Sequence, residues 1–452
     1  MKSRIPPALI TALFLGLSFS LQSPLLAQNS ESADASFRDW VSTNHRWLQG
    51  QITPNALVPD PDPSRRGLVM SYGLTPEEFP QGFHRSAVYD DALAALAFLV
   101  FDDRDRAAFL LHALARLVRE DGSLWFGYNT ANDWPSEVDH DSALARAGAV
   151  SWVGYALAFY LAHQPPCAGD RGCEREMAFF RKTAVRLGEY LLSIQVNDAQ
   201  DPRDGLVRLG FGQIELAYKP DVNKVVEIYT DGPYPGISTE NNISAWFFLR
   251  QLGAVTGDAR WSRAAERVRT GLLKSAWDPS IDQFIAGFHP DGSPDSTQAL
   301  DCLSWGALFL AAAGDPERAR RSLAVVSSRY ASRDGKSTGF RPYSNSPIYQ
   351  DPEVGRFFFP DNPRRAWPDL PLVWSEGTLG VALANLKLGE LEAARRLLDG
   401  LRPLQPIDAG LMYASRDLPF QMRRAPGAAS AAWLILVAEA LSGNPLAQEV
   451  WK

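Results

Sequence analysis

The sequence predicts an all-helical chain folded as a closed ring of six helical hairpins. A turn-and-helix phrase rich in Ala and Arg recurs as FDDRDRAAFLLHALARL from Phe101, TGDARWSRAAERVRTGLL from Thr256, AGDPERARRSLAVV from Ala313 and LGELEAARRLLDGL from Leu388. In each copy a small or acidic turn closes one apolar helix and opens an amphipathic one, as the elbow of a hairpin does. The two helices that flank an elbow also differ. One is apolar nearly all round, as a helix enclosed by other helices must be; its partner carries Arg and Glu on one face and belongs outside.

Taken in order, Lys2 and Arg4 precede an apolar run from Ala8 to Leu21, and the segment from Ser23 ends on Ala27. This pattern reads as an export signal cleaved after Ala27, since the run is shorter than the roughly 20 residues a spanning helix requires. The expected mature chain, residues 28–452, is secreted or periplasmic, monomeric and a single domain, because the elbow phrase continues from Phe101 to Leu401 without a linker break. Spacing of apolar residues at three and four predicts paired helices at Ser86 to Phe101 and Arg104 to Glu120, Asp141 to His163 and Glu174 to Gln195, and Thr239 to Thr256 and Trp261 to Ser275. Two more pairs follow, Ala299 to Ala313 with Glu317 to Tyr330 and Ser375 to Lys387 with Glu390 to Leu401. The apolar helix Gly427 to Ser442 has no successor, so the helix around Phe37 to Gln49 is expected to pair with it and close the ring.

The short elbows share one end of such a ring. The long connections, Asp121 to His140 and Val196 to Ser238 among them, share the other, and loops of that length in a compact domain are usually functional. Tyr330 to Asp369 is expected to overhang the same end. Carboxylates gather where the inner helices begin: Asp90 and Asp91 in YDDALA, Asp139 and Asp141 in VDHDSA, Glu240 in STENN, Asp301 in ALDCLSW and Glu376 in WSEGTLG. Helix capping explains an acid at any one start. It does not explain the aromatic and amide residues beside them: Tyr89, Trp125, Phe126, Tyr128, Trp134, Trp305, Trp367, Trp374, Asn129, Asn241 and Asn242. Aromatic faces for sugar rings, with carboxylates and amides for hydroxyl groups, are what a carbohydrate cleft requires, although some of these rings are expected simply to pack the rim.

Glycoside hydrolysis needs two carboxylates flanking one bond, one protonated and one ionised. The candidate acid is Glu240; candidates for the second role are Asp301, then Asp91, with Glu376 either a sugar ligand or the second carboxylate. Expected substrate contacts are Tyr89, Asp90, Trp125, Tyr128, Asn129, Asn241, Trp305 and Trp374. No cofactor and no metal ion is expected. Asp198, Asp201 and Asp204 depart from the alternation of a calcium loop, Asp139-His140-Asp141 reads as a helix cap, and the sequon at Asn242 falls inside a predicted helix. Of the three cysteines, Cys167 and Cys173 flank a short polar segment and are expected to bridge; Cys302 reads as a packed thiol.

The phrases YDDALAALAFL, STENN, ALDCLSW and WSEGTLGVALA, in this order between hairpin elbows, resemble the six-hairpin glycosidase superfamily. The resemblance covers roughly Ser86 to Ser442 and implies an (α/α)6 barrel with carbohydrate-active chemistry in a cleft at one end. The formal net charge of −7, which becomes −9 once the two cations of the leader are removed, disfavours nucleic acid as a partner. A carbohydrate substrate is the expected partner. Other readings stay open: a non-catalytic polysaccharide-binding protein of an exopolysaccharide system, and a polysaccharide lyase built on groups such as His84, Arg85, Tyr89, Asn129 and His140. A lyase acting on polyuronates would face repulsion from the acidic ring. A sugar epimerase would need central histidines, and His45, His112 and His163 fall on outer or late-helix positions.

Overall fold

The computed structural model describes residues 24–452 except residues 81 and 134–139, together with the side chains from residue 37 onward other than those of residues 140 and 141. The expected leader therefore lies outside the described residues apart from its last positions, and Asp139 and Trp134 lie outside them too. The chain divides into two compact units, Met1–Trp40 and Val41–Lys452. Helix α1, Pro24–Gln51, crosses that division.

The larger unit is mostly helical. Its helices are α2 (Val88–Val100), α3 (Arg104–Arg116), α4 (Ala147–His163), α5 (Arg171–Ser193), α6 (Thr239–Thr256), α7 (Ala259–Gly271), α8 (Leu300–Ala312), α9 (Pro316–Tyr330), α10 (Pro352–Phe358), α11 (Ser375–Lys387), α12 (Leu391–Leu401), α13 (Ala428–Leu441) and α14 (Pro445–Glu449). Six of them, α2, α4, α6, α8, α11 and α13, touch in that cyclic order, and α13 returns to α2. These are the helices that read as apolar all round, and most residues of each are buried. Their amphipathic partners α3, α5, α7, α9 and α12 each pack on the preceding inner helix. The Val41–Gln51 part of α1 is tied to the end of α2 and to the connection before α13. Asn44 Oδ1 accepts from Leu411 N (2.8 Å), and His45 stacks on Phe101 with ring centroids 3.9 Å apart.

The elbows are built as their sequence suggests. Asp102, Gly257, Gly314, Gly389 and Gly443 all adopt positive φ, between 61° and 87°, the left-handed turn that ends a helix and frees the chain to reverse. The next helix is then capped by a side chain where Asp258 accepts from Arg260 N and Asp315 from Arg318 N.

The opposite end carries strand structure that helical periodicity did not predict. Arg85–Ala87 pairs with Gly127–Asn129, so α2 starts at Val88 and not at Ser86. Ala145–Arg146 pairs with Gly210–Phe211, which delays α4 to Ala147 and leaves the predicted helical start at Asp141 as a single 3-10 turn. A long hairpin, Gly210–Lys219 with Lys224–Tyr234, rises from this point. Leu216, Tyr218 and Val225 reach a separate core cluster made of Tyr330, Phe340, Ile348, Tyr349, Val354 and Trp367, and the Tyr218 ring sits 5.5 Å from that of Phe357 in α10. Cys167 and Cys173 are bonded to each other, and Cys302 is a buried free thiol.

An aromatic cluster fills the centre of the inner helices. Trp152 of α4 meets Trp305 of α8 and Trp433 of α13 edge-on at 5.6 and 5.8 Å. Trp451, beyond α14, enters beneath them and stacks on Trp152 and on Phe247, both at 4.6 Å. It is 1% exposed, and its backbone N–H donates to the Tyr155 hydroxyl at 2.8 Å. Replacing a fully buried Trp by Ala costs about 3–5 kcal/mol, so Trp451→Ala should lower the unfolding free energy by that amount while far-UV circular dichroism stays helical; a change below about 1 kcal/mol would show that the cluster does not depend on it.

Candidate active site

Each inner helix is preceded by an extended residue at its N-cap, and the first turns of α2, α4, α6, α8 and α11 meet at one place. A cavity of 1110 Å³ lies there. Glu240, Asp301 and Glu376 line it from the first turns of α6, α8 and α11, and Asp90 from that of α2. Tyr89, Asn241, Trp152, Trp374, Tyr72 and Tyr413 complete the inner surface.

Withdrawal from bulk water dominates the electrostatics of these acids. It raises Glu240 from 4.5 to about 7, with no hydrogen bond to offset it. Glu376 rises to about 8, first through burial and then through repulsion from Asp90 and Glu240, although the Tyr89 hydroxyl donates to its Oε1 and opposes the rise. Asp301 is pushed well above the carboxylate range by burial and by the charges of Glu240 and Glu376. Asp90 rises to about 6, limited by a Ser71 hydrogen bond and by Arg85. The Trp433 indole N–H donates to the Tyr89 oxygen at 2.9 Å, so the aromatic core orients the tyrosine that orients Glu376. Asp301 Oδ1 and the indole nitrogens of Trp152 and Trp374 are buried with no hydrogen-bond partner among the described residues. Unmet polar atoms around a cavity are the condition of a site that expects a polar ligand.

The other sequence candidates sit elsewhere. Asp91 is 0% exposed and faces away from the cavity; one oxygen accepts from Val69 N at 2.6 Å and the other from the Ser86 hydroxyl at 2.7 Å. Adjacent residues on a helix point about 100° apart, so Asp90 lines the site while Asp91 ties the start of α2 to the segment around Val69. Its expected part in catalysis gives way to a structural one. Tyr128 and Asn129 are buried in the Gly127–Asn129 strand; the Tyr128 oxygen accepts from Trp125 N and Asn129 Oδ1 from Ala131 N. Trp125 lies under the Arg119 guanidinium at 4.1 Å, outside the cavity lining. Trp305 belongs to the central cluster and supports the site from below. The segment Tyr330 to Asp369 contributes no lining residue; it props the far end of the long hairpin. The walls are instead Glu227 on that hairpin, Phe79, Phe126, Arg85, Arg146 and the loop from Asp417 to Arg423. Of these, Phe126 and Arg85 were among the residues the sequence singled out; no motif announced the others, which come from different connections.

No family model matches the chain, and no curated protein matches it in sequence. Solved structures do. A D-mannose isomerase superposes with a TM-score of 0.57 at 11% identity over 91% of this chain and 98% of its own. A GH63 mannosylglycerate hydrolase from Thermus thermophilus, in complex with glucose, gives 0.55 at 15% over 88% and 99%. An alpha-amylase from Clostridium perfringens gives 0.52 at 12% over 88% and 97%. The chain shares its fold with these proteins. At these identities the likeness is one of fold, and that fold carries both hydrolases and an isomerase.

Two stability measurements separate the roles of these acids. Asp91→Ala leaves two buried donors unmet and should lower stability by about 3 kcal/mol, whereas Asp90→Ala should have a much smaller effect. For Glu376 the folded value of about 8 lies above its ordinary 4.5, so its stability contribution is intact below about 4.5 and is lost as pH rises through 8. Glu376→Gln, which does not titrate, should match the unsubstituted chain in melting temperature near pH 4.5 and exceed it at pH 8 to 9. Equal melting curves at both pH values would contradict the buried placement.

Proposed function

We propose that this protein is a glycoside hydrolase, a closed (α/α)6 barrel that acts as a monomer outside the cytoplasm on a poly- or oligosaccharide. The observation that carries the reading is the convergence of Glu240, Asp301 and Glu376 in one water-poor cavity, each from a different inner-helix start. Three such carboxyl groups do not ionise together, so the site holds at least one proton at neutral pH beside an ionised neighbour. That is the state hydrolysis of a glycosidic bond requires.

Glu240 is the proposed general acid. Burial alone raises it, and no donor stabilises its anion. Glu376 is the proposed second carboxylate, which activates water or attacks the sugar. When Glu240 carries the proton, its share of the repulsion on Glu376 is removed while burial and Asp90 still raise that group, and the Tyr89 hydroxyl opposes them by favouring and orienting the ionised form. Asp301, between them in chain order, shares the proton or holds a sugar hydroxyl. Trp374, Trp152 and Asn241 offer stacking faces and donors. The readings as a binding protein or a lyase are less well supported: a binding site gains nothing from acids held off their ordinary values, and Tyr89, the tyrosine that touches an acid, is pushed well above its ordinary range by burial and by Glu376, which makes it a poor base.

Glu240→Gln should lower kcat by about 10²-fold or more on whatever glycan the native protein cleaves, with the melting temperature maintained or raised. In the native protein, kcat/KM should follow a bell whose limbs belong to the acid pair and whose top lies between about pH 7 and 8. Glu240→Gln should flatten the alkaline limb of its residual activity. Retention of more than about a tenth of the native rate would remove Glu240 from the mechanism.

A further inference from the structure

Three arginines line the cavity, and one of them, Arg146, donates to the carbonyls of Phe211 and Gly212. The other two are Arg85, in the strand before α2, and Arg423, in the loop before α13. Arg85 lies 5.6 Å above the Phe126 ring, and Arg423 lies 4.2 Å above the Phe79 ring. Both stretches of chain flank Tyr72: Ser71 N donates to Arg85 O at 2.8 Å, and Gly73 N donates to the carbonyl of Pro426, three residues after Arg423, at 2.9 Å. Arg423 makes no ion pair with a carboxylate among the described residues: Asp417 in its own loop accepts from Arg424 N, and Asp334 is held by Arg416. A guanidinium laid on an aromatic face presents its edge to a ligand and loses little freedom when one binds.

Neutral sugars do not call for this. Their hydroxyl groups are served by the carboxylates and indoles of the floor, and a second guanidinium near Tyr72 adds a charge that a neutral ligand does not pair with. We infer that the glycoside taken by this cavity carries an anionic group, a carboxylate or an equivalent acidic substituent on the sugar or on the group it is joined to, seated against Arg85 and Arg423 beside Tyr72. The inference rests on the hydrolase reading of the same site. It also qualifies an expectation drawn from the sequence: the acidic floor disfavours a polyuronate only where acid meets acid, whereas here two arginines stand beside it. Asp90, whose charge reaches Tyr72 and which Arg85 in turn steadies, marks the border between the two regions.

The test uses matched pairs of methyl glycosides in the gluco, galacto and manno series, each uronic acid against its neutral twin, together with glucosylglycerate against glucosylglycerol. Binding is measured by calorimetry on the Glu240→Gln protein, so that turnover does not interfere. At least one acidic member should bind about 10-fold or more tighter than its neutral twin, with a preference that shrinks as salt is raised. Arg423→Gln in the same background should bring the ratio close to one, and Arg423→Lys should restore part of it. Neutral twins that bind as tightly as the acids across the panel, no binding of any acidic member, or a preference that survives Arg423→Gln would each overturn the inference. The two readings fail separately. Turnover of neutral glycosides with no charge preference removes the basic subsite and leaves the hydrolase; charge preference without turnover of any pair by the native protein does the reverse.

Discussion

Everything at the working end rests on the packing of four indole rings at the centre of the inner helices. Six helices that touch in a ring enclose an axis that backbone cannot fill, and side chains must occupy it at the density of a protein interior. Trp152, Trp305, Trp433 and Trp451 do so largely through edge-to-face contacts, which suit the ring quadrupole better than a parallel stack. The same cluster closes the bottom of the cavity and keeps water from reaching the acids from below. Through the Trp433 N–H it also fixes the Tyr89 hydroxyl and so the Glu376 carboxylate. Core packing and acid orientation are therefore one structure.

The upper walls follow a different logic. They come from connections of unrelated sequence, and each is held by its own device: the long hairpin by pairing with Ala145–Arg146 at its base and by Tyr218 against Phe357 at its far end, the loop from Asp417 by the Leu418–Met422 bridge and the Asp417 turn. On the hydrolase reading the ring would set where a sugar sits relative to the acids, and the walls would select what else that sugar carries, so that wall charge bears on the substrate and floor charge on the reaction.

How far the sequence could be read follows from this division. Inner helices announce themselves because a helix buried on all sides must be apolar on all sides, and elbows because the left-handed turn at Gly257, Gly314 and Gly389 admits few residues at low cost. Glu240, Asp301 and Glu376 were legible for the same reason, since they break an otherwise apolar helix in its first turn. Asp90 and Asp91 were not separable, because adjacent positions in a first turn differ only in azimuth, which the sequence does not orient. The hairpin did leave a signal: Ile214, Leu216 and Tyr218 alternate with other residues, and Pro220 to Asn223 supplies a turn, a period of two that a search for helical spacing passes over. Arg423 left none, and Arg85 stood out only as a group a lyase could use, because 338 residues separate the two arginines that line the cavity near Tyr72.

One frame that carries both hydrolases and an isomerase leaves the choice of chemistry to the side chains at the helix starts. Isomerisation of a sugar moves a proton to and from carbon, a task that suits a group of ordinary basicity near neutrality, such as histidine. The described cavity lining contains no histidine, and its titratable floor is made of carboxyl groups lifted toward neutrality by burial. Raised carboxyl groups are good proton donors to a leaving oxygen at pH 7, and an ionised neighbour held by a tyrosine is a good acceptor from water. On the hydrolase reading, burial is what makes one of these groups a proton donor near neutrality, and its cost falls on stability at alkaline pH.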